Sequence, residues 1–286
     1  MSLSLVVLAA WMGSRYGWLK QIDTFWPSGQ SLLEYSIYDA MNAWFDHIVL
    51  VIRKEFEQAF VDKFDSMLNV IPSYDFVYQE IDQWREKPRW TLDATLCAHS
   101  VVSWPFAVIN ADDWYGTTSY QQLVKNLKNC SSNESFLVWY TLRNTLSEYG
   151  TVNRGVCHVD STWCLTDVTE RYALWYVWDI IQDREWNIFE WDETVSMNFW
   201  WFHNSFFDQA NTLLETFKAT YSDQPKAEMV IPDAVDTLID ASSITCCVVS
   251  SNDPWQGVTN PEDKQRVAQA FETMHFENSY PEDLWS

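Results

Sequence analysis

The first 52 residues restrict the possible folds more than any other stretch. Residues 5–10 (LVVLAA) form an unbroken apolar run, the pattern of a strand buried on both faces. Residues 31–43 (SLLEYSIYDAMNA) place Leu33, Ile37, Ala40 and Met41 on one helical stripe. Ser31 and Glu34 stand three apart at its start, the spacing of a capping box. Residues 47–52 (HIVLVI) are a second apolar run. Strand, helix and strand in this order make a βαβ unit, which requires a parallel pair of strands with a helix packed across them. One residue breaks the pattern. A left-handed residue, usually glycine, is expected directly after Ala43. Trp44 stands there, and a bulky side chain is sterically disfavoured in that conformation.

The alternation continues along the chain. Residues 55–70, 117–128 and 204–219 read as helices, the last with Phe206, Phe207, Ala210, Leu213, Leu214 and Phe217 on one stripe. Residues 105–110 and 136–142 read as strands, and residues 151–191 alternate short β-like runs with polar turns. Residues 227–238 read as helical or mixed, 244–249 as a strand and 260–274 as a helix. No internal repeat, low-complexity segment or linker interrupts the 286 residues. The expectation is a three-layer αβα fold of the α/β class with a central mixed, mostly parallel sheet, forming one domain over residues 1–286.

Charge narrows the partners. The net charge of −22 argues against nucleic acid and against anionic membrane surfaces, both of which attract basic patches. It repels anionic small molecules at long range too. Any phosphate site must therefore rest on local groups: Arg, Lys, backbone N–H and a divalent cation. No apolar run reaches membrane-spanning length. The start, MSLSLVVLAAW, lacks a basic residue before its apolar stretch, so a buried strand is expected there rather than a signal peptide. The six cysteines show no CxxC pair, which reads as reduced thiols of a cytoplasmic protein. His99, His158 and His203 have no His or Cys companion at i+4, so no zinc site is expected; His47 and His275 are expected at the surface. No nucleophile elbow is present.

One ratio is abnormal. The chain has 18 Trp and 7 Gly, whereas average usage of about 7% predicts roughly 20 glycines in this length. The excess of one residue nearly matches the deficit of the other.

The loop after the first strand, LAAWMGSRYGWLKQI, is basic and carries Gly13 and Gly17. It is not a Walker A loop, because no Gly-Lys-Ser/Thr follows. It is not a dinucleotide fingerprint either, because about twenty residues separate the strand from the Ser31 helix, where a helix should open directly on the glycines. A long basic loop fits another arrangement. In that arrangement backbone amides and Arg15 would cradle a triphosphate while Lys20 would reach the α-phosphate.

This loop resembles that of the sugar nucleotidyltransferase family, which reads L-A-A-G-x-G-x-R followed by a Lys. Eight further segments match the family in order. They include PSGQSLLEYSIYDAMNAWFDHIVLVI, REKPRWTLDA, VINADDWYG, GTVNRGV, LTDVTER and VSMNFWWF, with KAEMVIPDAVDTLI and WQGVTNPEDK near the end. The resemblance implies a Rossmann-like nucleotide-diphospho-sugar transferase fold, with residues 1–116 as the nucleotide-binding half and 117–286 as the sugar-phosphate half. It implies Arg15 and Lys20 as catalytic, with Ala9, Ala10, Trp11, Gly13, Gln79 and Thr91 at the nucleotide. It puts Gly150, Glu170, Asn198 and Lys226 at the sugar phosphate, and Asp112 and Thr259 on Mg²⁺, with Asp113 a weaker candidate. The reaction implied is transfer of a nucleoside monophosphate from a nucleoside triphosphate to a sugar 1-phosphate. The pattern does not separate thymidylyl, uridylyl, cytidylyl and guanylyl transfer, and phosphocholine is a further acceptor. The sequence leaves oligomeric state open.

Each of these residues has a structural alternative. Arg15, Lys20 and Lys226 fit exposed charges, Asp112 fits a helix cap, Gln79 and Thr91 fit turns, and Glu170 with Asn198 fits a polar pair between strands. The whole chain has one as well: a binding protein that keeps the fold and lacks catalysis, because the Trp11 indole fills the phosphate space.

The departures from the family are ordered. Trp11, Trp18, Trp26, Trp44, Trp90, Trp104, Trp139, Trp163 and Trp201 stand where the family carries Gly, whereas Trp200, Trp255 and Trp285 match family tryptophans. Drift would scatter substitutions over many residue types. One residue replaced repeatedly by one other points to a systematic cause. A UGA codon that means glycine in the source and is translated as tryptophan is one such cause, and deliberate replacement is the other.

Overall fold

The structure, a computed structural model, describes residues 3–10, 24–25, 29–81, 85, 91–127, 130–251 and 253–286. The N-terminal unit is β1 (Ser4–Leu8), α1 (Leu32–Asn42) and β2 (His47–Ile52), with β1 and β2 parallel. Ser31 caps α1: its hydroxyl accepts from the Glu34 N–H, and the Glu34 carboxylate accepts from the Ser31 N–H at 2.8 Å. α2 (Glu57–Val70) leads to β3 (Tyr74–Tyr78), a strand absent from the sequence reading, which lies parallel to β2. α3 (Thr91–Leu96) precedes β4 (Phe106–Asn110), parallel to β1 on its other side.

After the short β5 (Asp113–Trp114) come α4 (Ser119–Asn126), β6 (Glu134–Thr141), β7 (Val152–Val159) and the 13-residue β8 (Leu165–Val177). β9 (Ile180–Gln182), β10 (Ile188–Phe189) and β11 (Thr194–Phe202) follow, then α5 (Phe206–Thr220), α6 (Ile231–Asp240), β12 (Thr245–Ser250), β13 (Gln256–Gly257) and α7 (Asp263–Phe276). The main sheet is mixed and runs β10-β9-β8-β7-β11-β4-β1-β2-β3, with β6 on β11 and β12 parallel to β6. β11 joins the halves. Its first residues pair with β7 and its last with β4, both antiparallel.

Alternation along β1 shows the layers. Leu5, Val7 and Ala9 enter one core with Leu33 and Ile37 of α1, Phe60 and Phe64 of α2, and Leu123 of α4. Val6, Leu8 and Ala10 enter a second with Leu92 of α3, Phe206 and Leu214 of α5, and Val235 of α6. A strand that buries both faces reads as a continuous apolar run for this reason. A third cluster packs α7 and the C-terminal residues Tyr280 and Leu284 on Tyr35 and Trp114.

Two expectations are corrected. Cys164 and Cys247 form a disulfide across 83 residues, so only Cys97, Cys130, Cys157 and Cys246 are thiols. The β7–β8 turn reaches β12 at that point, a contact no local spacing reveals. His47 and His275 are half-buried rather than at the surface. His47 opens a strand flanked on both sides and bonds Ser4 at 3.0 Å and Asp75 at 2.9 Å, and His275 bonds the Tyr35 hydroxyl at 2.7 Å.

α1 is anchored to β5 through a buried carboxylate. Trp114 Nε1 donates to Asp39 Oδ2 at 2.9 Å, and the Tyr280 hydroxyl donates to the same oxygen at 2.7 Å. Burial pushes Asp39 up from the ordinary 3.8 to about 7, against the two hydrogen bonds that favour its charged form. The unfolded chain ionises this group near pH 4. Its stabilising contribution is therefore complete below pH 4 and is lost as pH rises towards 7. At 1.36 kcal/mol per pKa unit the loss is at most on the order of 4 kcal/mol. Asp39→Asn keeps an acceptor oxygen and removes the charge. Melting curves from pH 4 to 8 should show the variant gaining on the parent across that window, and a constant gap would contradict the buried-carboxylate account.

Candidate functional site

Strands β1, β2, β3 and β4 run parallel, so their C-terminal ends share one edge, where α/β folds bind ligands. Ala9 and Ala10 leave β1 at this edge, and Ala9 N–H donates to Val51 O at 2.8 Å. Trp11, Gly13, Arg15 and Lys20 follow and lie outside the described residues. Gln79 leaves β3 at the same edge, buried, and donates to Asp93 of α3 at 2.8 Å. Thr91 opens α3, and its hydroxyl accepts from the Ile231 N–H at 3.0 Å, tying α3 to α6. Both side chains thus have structural bonds, and their place beside the edge keeps the base-side assignment geometrically open.

Asp112 lies in the turn that leaves β4, half-buried, beside Ala111, whose N–H bonds Leu8 O of β1 at 3.1 Å. Asp113 is buried and accepts from Asn110 Nδ2 at 2.9 Å and the Tyr115 hydroxyl at 3.4 Å. Its carboxylate holds the turn. Of the pair, Asp112 is the more exposed to a ligand. Gly257 of β13 pairs with Asp113, and Thr259 follows two residues after it. A Cβ at Gly257 would fall 2.5 Å from Asp113 Oδ1, so only glycine permits this approach. Asp263 accepts from the Thr259 N–H at 3.1 Å and the Asn260 N–H at 2.7 Å, fixing that strand end. Gly150 lies against Asn260, bringing a sugar-side position to the same place.

Asn198 sits at the bulge where β11 changes partners, with φ 63°. Asparagine tolerates that conformation better than most residues. The Tyr115 hydroxyl donates to Met197 O at 2.9 Å, so the bulge and the Asp112–Asp113 turn are one braced unit. Glu170 of β8 pairs with Gly155 of β7. Burial pushes its carboxyl up to about 7, Asp233 of α6 adds to the rise and Arg154 opposes it. Lys226 is exposed, two residues before Glu228, whose charge reaches Tyr172 next to Glu170.

Arg154 escaped the sequence reading. Its guanidinium is buried, donates to Asn153 O at 2.7 Å and to Thr145 O, and lies 5.1 Å from the Trp255 ring. Nε has no hydrogen-bond partner among the described residues. Burial draws its pKa down to about 10, while Asp113, Glu170, Asp263 and Asp112 hold it up. One cation therefore stands among the acids of the proposed metal side and sugar side. Only its position in the GTVNRGV segment could have signalled this.

Among the described residues, no three His, Cys, Asp or Glu side chains converge to hold a metal, and no helix is long and apolar enough to cross a membrane. Mg²⁺ does not need such a cage, since one or two carboxylates and substrate phosphates commonly hold it. Asp112 is one half-buried carboxylate at this edge.

No protein-family profile and no curated protein sequence matches the chain. Solved structures do. A UDP-glucose pyrophosphorylase complexed with UDP-glucose superposes with a TM-score of 0.64 at 16% identity, covering 96% of this chain and 99% of that one. The inositol-1-phosphate CTP transferase from T. maritima gives 0.61 at 13%, over 95% of both chains. The chain has the sugar nucleotidyltransferase fold. HddC from Yersinia pseudotuberculosis shares this fold at 0.60 and 14% identity, over 94% of this chain and 99% of that one. The match spans both halves of the sheet, so the fold read from the nine ordered segments is the one observed.

Proposed function

We propose that the chain is a sugar-1-phosphate nucleotidyltransferase that binds a nucleoside triphosphate with residues 1–116 and the sugar phosphate with residues 117–286. The observation that carries this reading is convergence on one edge. The Ala9–Ala10 strand end, the Asp112 turn, the Thr259 strand end and the Asn198 bulge are linked there by named bonds. Among neighbours of this fold, a UDP-glucose pyrophosphorylase was solved with UDP-glucose and HddC with GMP-PN, which supports a nucleotide site.

In the proposed reaction a phosphate oxygen of the sugar 1-phosphate attacks the α-phosphorus. The bond from that phosphorus to the bridging oxygen breaks, and pyrophosphate leaves. The substrate brings its own nucleophile, so the protein needs no covalent residue. Arg15 and the loop amides that follow Ala9 orient the triphosphate. Lys20 neutralises charge at the α-phosphate as it builds. Asp112 and Thr259 would hold Mg²⁺, which would supply neutralisation of phosphate charge. Glu170 accepts from sugar hydroxyls, Asn198 donates and accepts, and Lys226 meets the sugar phosphate. Arg154 keeps the surrounding carboxylates from repelling one another. Gln79 and Thr91 contact the base.

Trp11 favours a second reading, a binding protein with a blocked loop. A screen of the four triphosphates with Mg²⁺ against a panel of sugar 1-phosphates separates the two. Pyrophosphate release in one pairing is expected from the Trp11→Gly variant, and triphosphate binding by that variant without release in any pairing would replace the enzyme with the binding protein.

A further inference from the structure

Four tryptophans have left-handed backbone: Trp44 at φ 71°, Trp163 at 63°, Trp178 at 57° and Trp186 at 66°. They are half of the eight non-glycine residues with positive φ among the described residues. For so bulky a side chain that conformation is an outlier. Each also sits at the position of a turn motif that selects glycine.

Trp44 follows the C-cap of α1. Its N–H bonds Met41 O at 3.0 Å and the Phe45 N–H bonds Ala40 O at 3.0 Å, the two bonds of a Schellman motif with Trp44 at C′. Trp163 closes the β7–β8 turn. Its N–H bonds Asp160 O at 3.1 Å and Asp160 N–H bonds Cys164 O at 2.9 Å, while Asp160 Oδ1 caps Thr162. Trp186 repeats this between β9 and β10. Trp186 N–H bonds Asp183 O at 3.0 Å, Asp183 N–H bonds Asn187 O at 3.2 Å, and Asp183 Oδ1 caps Glu185. Both are type I turns closed by a left-handed residue, the bulge in which glycine is usual. Trp178 is the first of the two residues between β8 and β9, where a hairpin turn of the primed types requires positive φ.

Among the described residues, these indoles pack little: only Trp186 makes a ring contact, edge-on to Trp175 at 5.9 Å. They are exposed by 81%, 58%, 91% and 72% in chain order. Trp114 and Trp200, by contrast, are buried, with indole N–H groups bonded to Asp39 and Asn198. Ser242 occupies the same turn position after α6 without being glycine, so the motif tolerates a small polar residue. An indole is neither small nor polar. The exposed apolar surface that Trp178 and Trp186 make with Ile180 and Ile188 would otherwise pass for a docking face.

We infer that residues 44, 163, 178 and 186 are glycine in the protein as its source makes it, encoded by UGA. Positions 178 and 186 come from backbone geometry alone. The inference uses no part of the functional reading. Trp139 and Trp201 have buried indole N–H groups without a partner among the described residues, but so does Trp255, so burial does not sort those three and they are left out.

The test is peptide mass on the protein isolated from its source, beside the codons of its gene. Glycine masses and UGA are expected at the four positions, with tryptophan masses and UGG at 114 and 200. Tryptophan in the isolated protein at the four positions overturns the inference. Its physical basis has a separate test in recombinant chain. The quadruple variant W44G/W163G/W178G/W186G should melt higher, by roughly 2–4 °C per position, and W114G and W200G should melt lower. A quadruple variant that melts no higher than its parent would show that these backbones do not select glycine.

Discussion

Asp112→Asn should abolish Mg²⁺-dependent turnover while leaving the fold intact. The measurement belongs in a chain with glycine at position 11, where the loop is unobstructed. Asp112 lies half-buried in a turn, and Asn is nearly isosteric with it, so the strand ends around it keep their bonds. What is lost is the charge that holds a hard cation against the triphosphate. A fall of about 10³-fold or more in kcat at limiting Mg²⁺ is expected, with an unchanged melting curve. Turnover that survives would move the metal to another carboxylate, and Asp113, already bonded to Asn110 and Tyr115, would be the next to test.

Lys20→Ala should lower kcat more than it weakens triphosphate binding. Negative charge builds at the α-phosphate in the transition state, and a contact realised there alone raises kcat rather than affinity. Removing one such donor typically costs about 2.7–4 kcal/mol, or about 10²–10³ in rate. The net charge of −22 sharpens this expectation, because local cations must offset a repulsive field. Comparing kcat with KM decides it. A change confined to KM would mean that Lys20 only holds the ground state.

Local chemistry explains which parts of the fold were legible. The α1 cap needed only Ser31 and Glu34, and β2 needed only six apolar residues. β3 was missed because YDFVY is only five residues long, lies at the sheet edge and has just Phe76 and Val77 as a continuous apolar pair. The 13 residues of β8 were read as short runs because Thr166, Asp167, Thr169, Glu170 and Arg171 break its apolar pattern on both faces. The site divides in the same way. The loop and the Asp112 turn announce themselves by position after apolar strands. Arg154 does not, since its importance lies in carboxylates drawn from distant parts of the chain: the Asp112–Asp113 turn, Glu170 and Asp263. The Cys164–Cys247 bond joins residues 83 apart and was invisible for the same reason. The opposite holds for Trp44. Its conflict with the helix end was visible in sequence, and the left-handed backbone was found where that conflict placed it.

Position 11 carries the central claim. If the first loop binds triphosphate through its amides, an indole there fills the phosphate space and resists the positive φ that glycine takes freely. The strand before it and the helix after it draw their patterns from other residues, so the chain folds either way. The most direct measurement is a titration with Mg-triphosphate, followed by pyrophosphate release with sugar 1-phosphates, on the Trp11 chain and on its Trp11→Gly variant. The account predicts weak binding by the Trp11 chain. It predicts that Trp11→Gly restores binding and releases pyrophosphate only when both substrates are present. Equal affinity in the two chains, or no release from a Trp11→Gly variant that binds triphosphate, would contradict it.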